Sequence, residues 1–201
     1  MKPAVPPSKH ARPGRLIAVD GVNSAAVAAT ARALLAHVPA RRGGVSRWDA
    51  SGVFGDLLVA EDDAGNPSAR TLLLLYAADL AFRLRWEILP ALGEGRIVVA
   101  APYIATAVAF GRAVGLPPAW LTDLFAFAPR AEQTAQAANQ TIVKRGQERG
   151  GFVEFGCEWM ARSNDLTTPQ ILERTRAHLV RVLGPPRRTR SATKATILPL
   201  K

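Results

Sequence analysis

The chain has one cysteine, Cys157, so an internal disulfide is excluded and a reducing cytoplasm is the expected compartment. It has no apolar stretch of about 18 residues, the length that crosses a bilayer as a helix. The longest apolar run, Leu72 to Ala78, is broken by Asp79, so no membrane association is expected. The N-terminus carries prolines and basic residues without an apolar centre, which does not read as a secretory leader. Histidine is scarce, and His10, His37 and His178 are not spaced with another His, Cys or acid in a metal-binding pattern. No G-x-S-x-G elbow is present. The acidic cluster Glu61-Asp62-Asp63 is followed closely by Gly and Asn and reads as a solvated loop. None of these patterns marks a catalytic centre.

Acids are also missing from both ends of the chain. Residues 1–15 carry Lys2, Lys9, Arg12 and Arg15, and residues 185–201 carry Arg187, Arg188, Arg190, Lys194 and Lys201. These nine cations supply nearly all of the formal charge of +10, so the segment between them is close to neutral. Both ends are rich in Pro, Ser, Thr and Ala, which do not build a core. Residues 1–14 and 185–201 are therefore expected to be disordered basic tails. They could solvate the protein or contact an acidic protein or nucleic acid. They contain no aromatic residue to stack on bases, which argues against single-strand binding.

The remaining residues, 15–184, suit one α/β domain. Arg15 to Asp20 is a short apolar run, followed by Gly21-Val22-Asn23-Ser24 and a helical pattern through Val27, Ala31, Leu34, Leu35 and Val38. Ser24 is the expected N-cap. A short strand is expected near Val45 to Trp48. Ser68 caps a long helix with Leu72, Leu75, Tyr76, Phe82, Trp86 and Leu89 on its apolar face. Arg83, Arg85 and Glu87 are expected mostly off that face, and Pro90 to bend or end the helix. Arg96 to Ala101 reads as a strand buried on both faces. Helices are expected near Ile104 to Val114, Pro117 to Phe127, residues 131–139 and Thr168 to Leu183. Gln140 to Lys144 and Phe152 to Gly156 are expected to pair as a hairpin, since their connection is too short for a parallel crossover.

Three stretches resemble thymidylate kinases. The first is the strand, loop and helix at 15–38. The second is ARTLLLLYAADLAFRLRWEILPALGEGRIVVAAPYIATAVAFG, which matches the family without a gap for about forty residues. The third is GLPPAWLTDLFAFAP. The resemblance covers roughly residues 15–129. It implies a P-loop NTPase-like parallel sheet flanked by helices, with a diverged, shortened part after residue 130. It also implies a homodimer formed through helices beside the sheet.

The family's chemistry is poorly represented. A P-loop surrounds phosphate with backbone N–H groups and a lysine, and its Ser/Thr hydroxyl binds magnesium. In the window that begins at Gly21, Ala26 stands for the second glycine, Val27 for the lysine and Ala28 for the hydroxyl residue. Asn23 replaces a common Asp. The family's Asp-Arg-Tyr motif is Ala101, Pro102 and Tyr103, and its thymine-binding arginine is Leu80. Tyr76 takes the place of a base-stacking phenylalanine. Arg47 falls where a monophosphate-binding arginine is expected, but Trp48 and Asp49 replace the Glu and Pro after it. Arg145 and Arg149, near Lys144-Arg145-Gly146, are the nearest candidates for lid arginines, and read more simply as exposed hairpin charges. The degenerate nucleotide-binding positions are thus Gly21, Asn23, Ser24, Arg47, Tyr76 and Tyr103, with no catalytic or metal-binding residue.

These readings lead to a catalytically inactive, dimeric interaction or regulatory protein with no cofactor. Two alternatives remain open: a nucleotide-binding sensor, and a residual kinase using ATP and magnesium on dTMP. Trp86, Phe125 and Phe127 are candidates for either core or interface.

Overall fold

The apolar runs of the sequence become a four-stranded parallel sheet in the order β2-β3-β1-β4. The computed structural model describes residues 13–59, 68–137, 151–161 and 166–184. Strand β1 is Arg15–Asp20, β2 is Gly43–Arg47, β3 is Ile97–Ala101 and β4 is Gln133–Gln136. Central β1 pairs with β3 in register Ile17 to Val99, and with β4 in register Val19 to Ala135. Both faces of the central strands β1 and β3 are buried, as expected of a parallel sheet with helical crossovers. Successive side chains alternate between the faces. Leu16, Ala18, Val98 and Ala100 enter a large core. Ile17, Val19, Val99 and Ala101 enter a smaller one with Val27 and Ala31.

Helix α1 (Ser24–Leu35) covers the smaller core. Helices α2 (Val53–Val59), α3 (Ala69–Arg83), α4 (Leu89–Gly93), α5 (Ile104–Ala113), α6 (Pro118–Leu124), α7 (Phe152–Ala161) and α8 (Thr168–Leu183) complete the described elements. Helix α8 spans the expected residues, with a Thr167/Gln170 capping box at its start and Gly184 after its end.

The long helix continues through Pro90 and closes at Gly93. A π-helical turn, Leu84–Ile88, joins α3 to α4, and Leu89 N–H bonds the carbonyl of Leu84. Pro90 lies in the first turn of α4. The wider turn lets the chain pass a residue that has no N–H of its own. The buried face differs from the expected one, already within α3. Leu72, Leu73, Tyr76, Ala77, Leu80, Leu84 and Ile88 are buried, whereas Phe82, Trp86 and Leu89 are exposed. Arg83, expected off the apolar face, is fully buried.

Two further expectations are corrected. The helix expected over 131–139 is not found in its described part, residues 131–137, because 133–136 are strand β4: pairing with β1 outweighs the weak strand preference of Gln and Ala. Phe152 to Gly156 are not a hairpin strand but the first half of α7. Five residues cannot separate a strand from a buried helix, whereas Phe152, Phe155, Trp159 and Met160 together show helical period. Residues 140–144, the other expected hairpin strand, lie outside the described residues, as do Arg145, Arg149, the cluster at 61–63 and most of both tails. Helix α2 falls in a region with little sequence pattern. It is started by Asp49, whose carboxylate accepts from Phe54 N–H at 3.0 Å and Gly55 N–H at 3.1 Å.

Candidate nucleotide-site remnant

In open α/β sheets, ligands sit beyond the carboxyl ends of the strands. Here those ends are Asp20, Arg47, Ala101 and Gln136. Gly21 is buried, and its N–H donates to Thr106 Oγ1 at 3.1 Å. A Cβ on Gly21 would lie 2.8 Å from both Ala137 Cβ and Val27 Cγ2, so the turn tolerates only glycine. Asn23, not Ser24, is the N-cap of α1: its Oδ1 accepts from Ala26 N–H at 2.8 Å. Asparagine and serine are comparable caps, so composition alone could not choose between them.

Ser24 is the first residue of α1, and its N–H donates to Glu154 Oε1 at 2.8 Å. A carboxylate from α7 therefore sits at a helix N-terminus, where backbone N–H groups favour an anion. Gly151 permits the approach: a Cβ there would lie 2.8 Å from Ser24 Cβ. Val27 points into the smaller apolar core and is 4% exposed.

The acceptor side is packed with aromatics. Tyr76 is fully buried, and its hydroxyl donates to the carbonyl of Tyr103 at 2.6 Å. Its ring lies 4.5 Å from that of Phe152, between centroids, and 6.0 Å from that of Phe125. Phe152 also meets Phe110 at 5.2 Å and Phe54 at 6.0 Å. Burial raises the Tyr76 hydroxyl far above its ordinary value and the Tyr103 hydroxyl to about 12. The Tyr103 hydroxyl donates to the carbonyl of Pro129 at 2.6 Å. Arg47 is exposed at the end of β2, beside Ala101 of β3. Gly21, Asn23 and Ser24 thus gather at one turn, Tyr76 and Tyr103 bond to each other, and Arg47 stands apart on the surface.

Four charged positions at the site, Asp20, Asp79, Arg83 and Glu154, were not singled out from sequence. Asp20 is buried, and its Oδ1 accepts from Tyr103 N–H, Thr106 N–H and Thr106 Oγ1 at 2.7 to 3.0 Å. Burial raises its pKa, opposed by the bonds from Thr106 and Tyr103 and by the charge of Arg83. Arg83 Nε donates to Ser46 Oγ at 3.0 Å, and Nη2 to the carbonyls of Ser46 at 3.2 Å and Pro102 at 2.9 Å. Its Nη1 lies 3.8 Å from Asp79 Oδ2. Asp79 in turn accepts from Ser51 and from Asp49 N–H. A cation therefore stands at the ends of β2 and β3, but it is sealed from solvent and faces protein. The i, i+4 spacing of Asp79 and Arg83 was the available signal. Glu154 carried none, because the residues that bring it to Ser24 are 130 positions away.

No family model matches the chain. Probable thymidylate kinases of Pyrococcus abyssi and Pyrococcus horikoshii are 33% and 39% identical to it over 95 residues, 46% of this chain and 46% of each relative. A thymidylate kinase of Xanthomonas oryzae pv. oryzae is 34% identical over 121 residues, 59% of this chain and 53% of the relative. Over these stretches the chain is similar to thymidylate kinases. It spans about half the length of the curated relatives it matches. The crystal structure of thymidylate kinase from Ehrlichia chaffeensis superposes with a TM-score of 0.59, covering 85% of this chain and 86% of that one at 12% identity. That likeness establishes the α/β, P-loop NTPase-like fold.

The residues present do not fit ATP and magnesium in the way the family resemblance implies. Val27, where the resemblance implies a phosphate-binding lysine, lies in an apolar core, Ala28 carries no hydroxyl, and the Ser24 N–H already holds a carboxylate. Among the described residues no group of three His, Cys, Asp or Glu could hold a metal ion. Among the same residues no helix is long and apolar enough to cross a membrane.

Proposed function

We infer that this chain is a non-catalytic thymidylate kinase-like protein, used as a dimeric interaction or regulatory module in the cytoplasm. One observation carries the reading: the carboxylate of Glu154 on the first N–H of α1, where the family's fold would present phosphate-binding groups. Phosphoryl transfer depends on positioned cations and hydrogen-bond donors around the phosphates. Here Val27 and Pro102 offer none, and Arg83 is enclosed by Ser46, Pro102 and Asp79. A coupled assay with ATP, magnesium and dTMP tests this directly. The expected result is no turnover above background, and sustained ADP formation dependent on dTMP would refute the reading.

The dimer is supported by Phe82, Trp86 and Leu89, exposed in succession on one helix at 40%, 65% and 51%. Contiguous exposed apolar side chains mark interaction surfaces. Phe127 is also exposed, whereas Phe125 belongs to the core. The sensor alternative is disfavoured by the packing of Phe152 on Tyr76, which fills the stacking face a base would need. Calorimetry with dTMP should give no heat. The basic tails are the natural contact for an acidic partner, and their deletion should abolish any salt-dependent nucleic-acid binding.

A further inference from the structure

A cavity of about 810 Å³ lies between the sheet, α5 and the last turn of α8. Its floor follows from the pleat. Alternate residues of a strand share a face, and Ala18 of β1 stands in register with Thr134 of β4. Ala18, Asp20 and Thr134 therefore line the cavity together. Ile104 and Val108 of α5 and Leu183 of α8 give it apolar walls. An apolar cavity with a few convergent polar groups is the usual form of a small-molecule site.

Two polar groups on this floor need partners. Asp20 is 1% exposed, and all three of its described hydrogen bonds fall on Oδ1. Arg83, whose charge reaches it, is bonded instead to Ser46 and Pro102. A buried carboxylate without a close cation is costly. Gln136 is the next residue of β4 on the same face, and it stands opposite Asp20 in the register. Its Oε1 and Nε2 are both buried, and neither has a hydrogen-bond partner. Buried amides are nearly always paired, so this orphan beside Asp20 marks a place for a ligand.

Charge selects the kind of ligand. Arg130 and Glu132 also line the cavity, but both are exposed, and Glu132 bonds Arg15 at 3.3 Å. Among the described lining residues the buried charge is that of Asp20 alone. A primary ammonium carries three donors and a positive charge, which suits a carboxylate and an amide oxygen together.

We propose that this cavity binds a small amphipathic primary amine, with its ammonium on Asp20 and Gln136 Oε1 and its apolar body against Ile104, Val108 and Leu183. The inference goes beyond the non-catalytic reading and does not rest on it, since turnover decides that reading and amine binding decides this one.

The test titrates the full chain at neutral pH with 2-phenylethylamine, 2-phenylethanol and 3-phenylpropionate, followed by calorimetry. The three probes differ chiefly in the charge of the headgroup. The amine should bind saturably and about tenfold more tightly than either of the others. Asp20→Asn should remove that preference and leave the alcohol unaffected. Gln136→Leu breaks no existing hydrogen bond, and it should also weaken the amine selectively, so it decides the matter if Asp20→Asn does not fold. Val108→Trp fills the cavity and should abolish binding, with circular dichroism confirming the fold. Equal affinity for the three probes, no saturable binding of the amine, or amine binding unchanged by Val108→Trp would overturn the proposal.

Discussion

Replacing Glu154 with Ala removes the carboxylate that accepts from Ser24 N–H at 2.8 Å. A hydrogen bond to a charged group contributes about 1.5–3 kcal/mol. An anion at a helix N-terminus adds about 0.3–1 kcal/mol at low salt. The contact is part-buried, so screening trims the sum, and about 2 kcal/mol is the expected loss. In a domain of this size 1 kcal/mol moves the midpoint by about 2–4 °C, which places the fall in Tm at about 4–8 °C. Glu154→Gln keeps an acceptor and loses the charge, so it should fall about half as far. Thermal unfolding followed by circular dichroism, at low salt and at high salt, separates the two contributions. High salt should bring Gln and Glu closer together and leave Ala below both. An Ala variant that melts with the native protein at low salt would refute the role assigned to this carboxylate. Neither variant should gain kinase turnover, because Val27 and Ala28 remain.

Arg83→Met leaves the Asp79 carboxylate buried without its cation and should cost about 3–5 kcal/mol, read from the urea midpoint. Tyr76→Phe strands the buried carbonyl of Tyr103 and should cost about 1–3 kcal/mol in the same assay. Asp20 has a raised pKa in the folded state, so the native protein binds more protons than the unfolded chain above the ordinary value of 3.8. Native stability should therefore fall as pH rises from 3.8 through the folded pKa. Asp20→Asn should remove that slope, and identical pH profiles for the two proteins would refute it. Phe82→Ser with Trp86→Ser should convert a dimer to a monomer by light scattering at micromolar concentration, with Tm little changed because both side chains are exposed.

Long periodic segments were legible because local pattern and tertiary burial agree in them. Strand β1, helix α5 and helix α8 fall where their apolar spacing puts them. The errors lie where tertiary pairing outweighs local preference. Gln133–Gln136 becomes a strand only because Ile17 to Asp20 lies beside it. The face of the long helix was misread because apolar residues lie on more than one side of it: Phe82 is already exposed and Arg83 buried within α3, before the π turn at Leu84–Ile88 begins. The same limit applies to the site. Ala26, Val27, Ala28, Ala101 and Pro102, where the resemblance implies phosphate- and magnesium-binding residues, are local and visible in sequence. What stands in their place is not, because Glu154 and Phe152 come from an element read as a strand.

That element links the two losses. A helix N-terminus at the end of a central strand presents N–H groups that need an acceptor. The buried ring of Tyr76, where the resemblance implies a base-stacking aromatic, needs a covering surface. In a nucleotide-binding relative, ligand could meet both needs. Here the first turn of α7 meets both at once: Glu154 reaches Ser24 while Phe152, two residues earlier, covers Tyr76. A helix that satisfies both places competes with any nucleotide for both. Restoring a lysine at Val27 would therefore not be sufficient for binding. The Val27→Lys variant would bury a cation beside Ile17, Val19 and Val99 while Glu154 still held the N–H of Ser24. It should unfold at lower temperature than the native protein and show no heat with ATP. Only a combined Val27→Lys and Glu154→Ala variant would present both a cation and an open N–H, and ATP binding by the single Val27→Lys variant would contradict the competition argued here.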